Sequence, residues 1–225
     1  MRPSTIFSVI TPSRGDRPLA LEQAGRSLEA ATRHAEALGL LAPGQVEWLV
    51  GFDGLKGLRP HVDLPARFVD FPKYGDFGHR IRDNLLPLAK GSHLLFLDDD
   101  NAFTESALAS YMPHLEHELI VARIDVSRAF PDVGLLPRPG PDSQVLRQCN
   151  VDTLCVCVAR DLALTRGRGW TSEGGYQADF VNIRRYWRRA RSVKVIEDVV
   201  GVYDAGRGLD AAGVSERQAL LEPGD

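Results

Sequence analysis

The sequence has 225 residues, of which 44% are hydrophobic and 25% charged, and its net charge is −3. That composition excludes a disordered chain, the length suits one domain burying roughly 70% of its unfolded surface, and the charge is too mild for a nucleic-acid partner. No apolar run approaches the roughly 20 residues of a membrane span, and the first twelve residues lack the apolar core of a signal peptide, so the cytoplasm is the expected compartment.

Strands and helices alternate through the first half. Ile6 to Thr11 is a β-rich run ended by Pro12. A helix follows, with Leu21, Ala24, Leu28, Ala31, Ala35 and Leu38 at three-four spacing, Asp16 as its expected cap and Pro18 in its first turn. Val46 to Phe52 reads as a second strand ending at the Asp53-Gly54 turn, and Ala66 to Phe71 as a third. Gly78 to Lys90 reads as a helix. His93 to Leu97 is apolar almost throughout, as a central strand covered on both faces must be, and it runs into Asp98-Asp99-Asp100. Thr104 opens a short helix to about His114, and Leu119 to Ile124 is a further strand. This rhythm predicts an α/β fold with a Rossmann-like, mostly parallel central sheet and helices on both faces.

The rhythm stops after Asp125. Residues 126 to 148 hold four prolines and two glycines and read as a long irregular segment. Beyond it, Thr153 to Val158 reads as a strand with Cys155 and Cys157 on one face, as small buried hydrophobes rather than metal ligands. A Gly-rich stretch from Gly167 to Gly175, a helix from Asp179 to Arg191 buried through Phe180, Ile183, Trp187 and Ala190, and a strand Val193 to Ile196 complete the pattern. The expected organisation is one domain over 1–206, with a polar tail over 207–225.

Ligands of open α/β sheets bind beyond the carboxyl ends of the strands, here at Thr11 to Arg14, at Asp53 and at Asp98 to Asp100. The glycine fingerprints of dinucleotide and Walker-type phosphate sites are absent, as is the nucleophile elbow of α/β-hydrolases. Three consecutive carboxylates after a buried strand repel one another unless a cation is present, and hard oxygen ligands suit Mg²⁺ or Mn²⁺ completed by substrate phosphates.

The ordered set of these segments resembles family 2 glycosyltransferases of the GT-A fold. Ser8 to Arg14 resembles their opening SVIIPTYNR strand, Asp53 the aspartate that ends their second strand, and Gly78, Arg82, Ala89-Lys90-Gly91 and Leu95 to Asp100 their GxxxARN…AxGxxxxFLDxDD stretch. The resemblance covers about residues 6 to 104. It implies an inverting, metal-dependent transfer from a nucleotide-diphosphate sugar to an acceptor hydroxyl in cell-surface glycan or polysaccharide synthesis. The donor half would be about 1–125 and the acceptor half about 126–206. Carried over by residue, Thr11, Pro12, Arg14, Asp53, Arg82 and Asp98 would line the nucleotide pocket. Asp100, with Asp98, would bind the metal, and Asp99 would orient. UDP is favoured as donor base carrier, with GDP or dTDP as alternatives, and the acceptor would be a glycan or lipid-linked sugar.

The second half departs from the pattern. Ala178-Asp179 stands where the family carries an acidic pair, so Asp179 is the expected catalytic base and Glu173 its reserve. No histidine follows His117 to serve as a late metal ligand, which leaves Tyr203, Asp204 or water. Trp170 and Tyr176 are the expected acceptor-side aromatics. His79 and His93 read as structural. Five arginines between Arg184 and Arg191 crowd one helix and suggest peripheral contact with an anionic membrane. Two rival readings remain: a haloacid-dehalogenase-type phosphoryl-transfer enzyme, for which Asp98-Asp99-Asp100-Asn101-Ala102 lacks the expected Thr or Val, and a non-catalytic nucleotide-sugar-binding domain.

Overall fold

The structure, a computed structural model, describes residues 4–141 and 144–210. Its elements in chain order are β1 (Phe7–Ser13), α1 (Pro18–Ala37), β2 (Val46–Asp53), β3 (Ala66–Phe71), α2 (His79–Leu85), β4 (His93–Phe96), β5 (Ala102–Phe103), α3 (Ala107–Tyr111), β6 (Leu119–Asp125), β7 (Leu135–Leu136), β8 (Val156–Ala159), α4 (Ala178–Arg189) and β9 (Val193–Val202). The strands form one sheet in the order β3-β2-β1-β4-β8-β6-β9-β5, with the short β7 paired antiparallel to the end of β6.

The half β3-β2-β1-β4 is parallel throughout. β1, β2 and β4 are fully buried, which explains their near-continuous apolar sequences. β2 shows how both faces are covered. Its Trp48 meets Gly25 of α1, whereas Gly51 lies against Ile81 of α2. Positions three apart on a strand point to opposite faces, so α1 and α2 sandwich the sheet.

The chain-order reading of a parallel sheet running on into β6 needs correction. β8 is inserted between β4 and β6 and is antiparallel to both, and only β9 restores a parallel pair with β6. The long segment after β6 brings the chain back in reverse, a placement that no local pattern encodes.

Several element boundaries also differ. α1 starts at Pro18 with Arg17 in the cap position and no side-chain cap of its own, and Leu38 lies beyond the helix, 57% exposed. Asp16 pairs with Arg14 instead. The cap comes from the far end of the described chain: Asp210 accepts hydrogen bonds from the N–H groups of Leu19 and Ala20 at 3.1 and 2.8 Å. The expected loose tail is therefore tied down as far as Asp210, while 211–225 lie outside the described residues. α2 gives way to a 3-10 turn at Leu86–Leu88, where Pro87 has no N–H to continue the helix. Residues 153–155 form a 3-10 turn rather than strand, so only Cys157 of the two buried thiols lies in β8. β9 runs six residues past its predicted end, carrying the exposed Glu197 and Asp198 that masked its pattern.

Candidate active site

The parallel half of the sheet brings the ends of β1, β2 and β4 to one edge. There the three consecutive aspartates divide their work. Asp99 is buried and committed: its carboxylate accepts from the Ser13 hydroxyl at 2.8 Å, the Arg14 N–H at 3.1 Å and the Arg17 guanidinium at 3.2 Å. Arg17 also reaches Asp100 at 2.5 Å. Burial, the adjacent Asp99 charge, and the charges of Asp98 and Asp204 push Asp100 up to about 7, against the opposing pull of Arg17. Asp98 keeps 30% of its side chain exposed and meets Arg82 at 2.5 Å.

Arg82 joins the two sides of the site. It is 1% exposed, reaches the site from α2, and sits over the Trp170 ring at 5.5 Å. Gly78, just before α2, permits this approach. Its φ is +80°, and a Cβ there would stand 2.6 Å from Pro12. The other guanidinium nitrogen of Arg82 donates to the Phe77 carbonyl at 3.1 Å and lies 3.8 Å from Oδ1 of Asp179, in the first turn of α4. That oxygen is buried and accepts no hydrogen bond, so the exposed third of the Asp179 side chain includes Oδ2. Burial raises the Asp179 pKa and Asp98 adds to the rise, while Arg82 and His79 oppose it. A carboxylate raised in this way is a better proton acceptor than a solvated one.

His79 closes the wall behind Asp179. The Trp170 indole can only donate, and it does so to Nδ1 of His79 at 3.2 Å, so Nε2 carries the proton and donates to the Gly175 carbonyl at 3.0 Å. Burial, with Arg82 adding, lowers the His79 pKa despite the nearby Asp179. Asp152 also feels this cluster. It caps the 3-10 turn before β8, and burial together with the Asp98 and Asp179 charges pushes it up to about 7.

The donor set decides whether a divalent cation suits the strand ends. Among the described residues no three His, Cys, Asp or Glu side chains converge on one point. Asp98 and Asp100 retain exposed surface, and the excess negative charge that lifts Asp100 is what a cation would relieve. Two carboxylates completed by substrate phosphates is the usual Mg²⁺ arrangement, so the residues fit a cation that arrives with a diphosphate. Asp204, fully buried and close enough to lift Asp100, flanks the same carboxylates, and Tyr203 stacks on Phe130 instead.

No protein-family model matches the sequence, and no curated protein matches it. Solved structures do match the fold. The crystal structure of S. aureus TarS 1-349 in complex with UDP superposes with a TM-score of 0.66 at 14% identity, over 88% of this chain and 60% of that one. The complex of the same protein with UDP-GlcNAc gives 0.62 at 14% identity, over 88% and 58%. A197 from STIV gives 0.50 at 10% identity, over 86% and 82%. The chain thus has a GT-A-like fold and spans about 60% of the length of the TarS structures it resembles.

The structure brings Arg82, Asp98, Asp100 and Asp179 together and gives several other expected residues different surroundings. Thr11 is fully buried, its hydroxyl accepting from the Trp48 indole at 2.8 Å, so it braces the core instead of lining a pocket. Pro12 is buried beneath Gly78. Asp53 is 6% exposed and holds its own loop: its oxygens accept from the N–H groups of Tyr74 and Gly75 at 2.6 and 3.0 Å, with Lys73 at 3.1 Å. Burial alone would raise its pKa, but these donors win and lower it. Arg14 is half-exposed and pairs with Asp16. Trp170, expected to face a sugar, is 4% exposed and packs against Phe96 and Tyr186. Tyr176 is 70% exposed, and the side chain of Glu173 stands in solvent.

The arginine-rich helix is likewise not one outward basic face. Its fully buried residues are Ala178, Asn182, Ile183 and Tyr186, while the predicted Phe180, Trp187 and Ala190 pack half-buried against the core beside Ile183. Arg185 and Arg189 donate to the carbonyls of Gly169 and Arg166, Arg184 lies over Phe180, and Arg188, Arg189 and Arg191 are exposed. No helix of the described residues is long and apolar enough to cross a membrane.

Arg17, Asp152 and the role of His79 escaped the sequence reading. Arg17 looked like the approach to a helix, and Asp152 is a lone acid in an apolar run. Only the Gly78-His79…Arg82 spacing on one short helix signalled that His79 and Arg82 share a face.

Proposed function

We propose that the chain is a family 2-type glycosyltransferase that moves a sugar from a uridine-diphosphate donor to a hydroxyl of a glycan or lipid-linked acceptor, with inversion. The observation that carries this is the buried Arg82, which spans from Asp98 at the strand ends to Asp179 at the opposite wall. The fold likeness to TarS structures holding UDP and UDP-GlcNAc supports a donor of the same class.

In this reading the strand ends take the donor diphosphate and the α4 side takes the acceptor. Mn²⁺ or Mg²⁺, held by Asp98 and Asp100 with the diphosphate, would supply Lewis-acid neutralisation of the leaving group. Oδ2 of Asp179 takes the proton of the acceptor hydroxyl as its oxygen bonds to the anomeric carbon and the bond from that carbon to the diphosphate breaks. The Arg82 guanidinium, 3.8 Å from the buried Oδ1, holds that oxygen by charge, so the remaining oxygen is presented in one orientation.

Calorimetry with UDP, GDP and dTDP, with and without Mn²⁺, tests the donor site, and hydrolysis of UDP-GlcNAc tests turnover. UDP binding strengthened by Mn²⁺ is expected. Absence of binding by all three nucleotides sinks the assignment, and binding without hydrolysis or transfer points to the non-catalytic reading.

A further inference from the structure

We propose that Phe77 and Tyr176 form a subsite that stacks on a pyranose ring of the acceptor, an inference that rests on the glycosyltransferase reading above. The two rings come from different halves of the chain, Phe77 from the loop before α2 and Tyr176 from the turn before α4. They meet edge to face, with centroids 5.5 Å apart and planes at 81°. Both are unusually open, at 64% and 70% exposure. Large aromatic surface left in water gains nothing from burial, so its retention in a fixed pair calls for a ligand.

The backbone under the pair is held by the catalytic wall itself. The Phe77 carbonyl accepts from Arg82 at 3.1 Å, and the Gly175 carbonyl, one residue before Tyr176, accepts from His79 at 3.0 Å. Asp179 follows Tyr176 by three positions, about one helical turn, so the rings flank the expected base. Phe77 also adopts a φ of +59°, a left-handed conformation that strains a non-glycine residue. Its contacts with Tyr176 and His79 still leave most of the ring in solvent.

The chemistry selects a sugar rather than an acyl chain. Two rings at nearly a right angle make a corner with an open aromatic face, whose negative quadrupole attracts the axial C–H groups of a pyranose. Polar groups surround the corner. Asp76 precedes Phe77 and accepts from Ser172 at 2.9 Å, Glu173 extends into solvent, and Arg80 is exposed over Tyr74. A ring that is apolar on its faces and hydroxylated at its edge matches that setting; a lipid tail does not.

The test is NMR of the full chain with labelled Phe and Tyr rings, loaded with UDP and Mg²⁺. It is titrated with methyl β-D-glucopyranoside, methyl β-D-N-acetylglucosaminide and methyl α-D-mannopyranoside, with ribitol as the open-chain control. Phe77 and Tyr176 signals are expected to shift with at least one pyranoside and not with ribitol. Phe77→Leu and Tyr176→Leu are each expected to weaken that binding about three- to tenfold while leaving UDP affinity unchanged. Phe77→Tyr, which bears the same backbone strain, should retain it. The proposal is overturned if no pyranoside moves the rings, if ribitol moves them equally, or if Phe77→Leu binds as the parent does. A response to phosphatidylglycerol vesicles in place of sugars also overturns it, and makes the pair a membrane anchor. Loss of UDP binding in the parent chain would refute the donor reading separately, because the ring shifts are read from the sugar.

Discussion

Arg17, the residue before α1, is joined to Asp100, the residue that ends the acidic run after β4, by a buried ion pair at 2.5 Å. The same guanidinium holds Asp99 at 3.2 Å. One positive charge therefore stands against two adjacent negative ones, and the strand-end site is built around an internal charge deficit.

Removing Arg17 should be costly. Arg17→Met leaves two buried carboxylates without their partner, and stability should fall by about 3–5 kcal/mol, the usual cost of breaking a buried pair. The denaturant midpoint at pH 7.5 measures it. The loss should shrink at pH 5, where Asp100 is protonated. A loss under 1 kcal/mol at pH 7.5 would show that the pair contributes no more than a surface contact.

Asp152 gives a signed pH prediction. Its folded pKa, about 7, lies above the unfolded value of 3.8 because of burial and the Asp98 and Asp179 charges. The folded state thus binds its proton more tightly. The stability this group contributes is fully present below pH 3.8 and is lost as pH rises through about 7. Asp152→Asn keeps the cap to Leu154 but cannot ionise. The variant should be more stable than the parent at pH 8, and by a smaller margin at pH 5, in parallel urea titrations. An equal difference at both values would contradict the shift.

Asp179→Asn should preserve folding and UDP affinity while turnover falls by roughly 10²–10⁴, the contribution of a positioned general base. Glu173→Gln, whose side chain stands in solvent, should stay near the parent. Because burial raises the Asp179 pKa, parental kcat/KM should also fall on the acid side at a pH above the ordinary carboxylate range. Near-parental turnover in Asp179→Asn removes it as the base.

Asp210 caps α1 across 190 positions of sequence. Asp210→Ala should cost about 1 kcal/mol in thermal unfolding, and Asp210→Asn much less. Hydrogen exchange at the Leu19 and Ala20 amides should accelerate in the alanine variant alone. Unchanged protection there would mean that the cap is not maintained in solution.

The sequence by itself determined the parallel half of this molecule. β1, β2 and β4 are buried on both faces, so their apolar runs and the Asp residues at the ends of β2 and β4 could be read directly, although β1 runs on through Pro12 to Ser13, and α1 declared itself by its apolar stripe. It also placed Asp98 and Asp100 after a strand and Asp179 at a helix start, because those are local features, whereas Arg82 was singled out only by the family resemblance. Tertiary structure alone decided what those residues touch. The insertion of antiparallel β8 beside β4 depends on a return across a long irregular segment, and the cap from Asp210 on contact with the opposite end of the chain. That Trp170 is buried while Phe77 and Tyr176 are exposed has the same origin: burial is a property of neighbours, and an aromatic side chain carries no local sign of which neighbours it will meet.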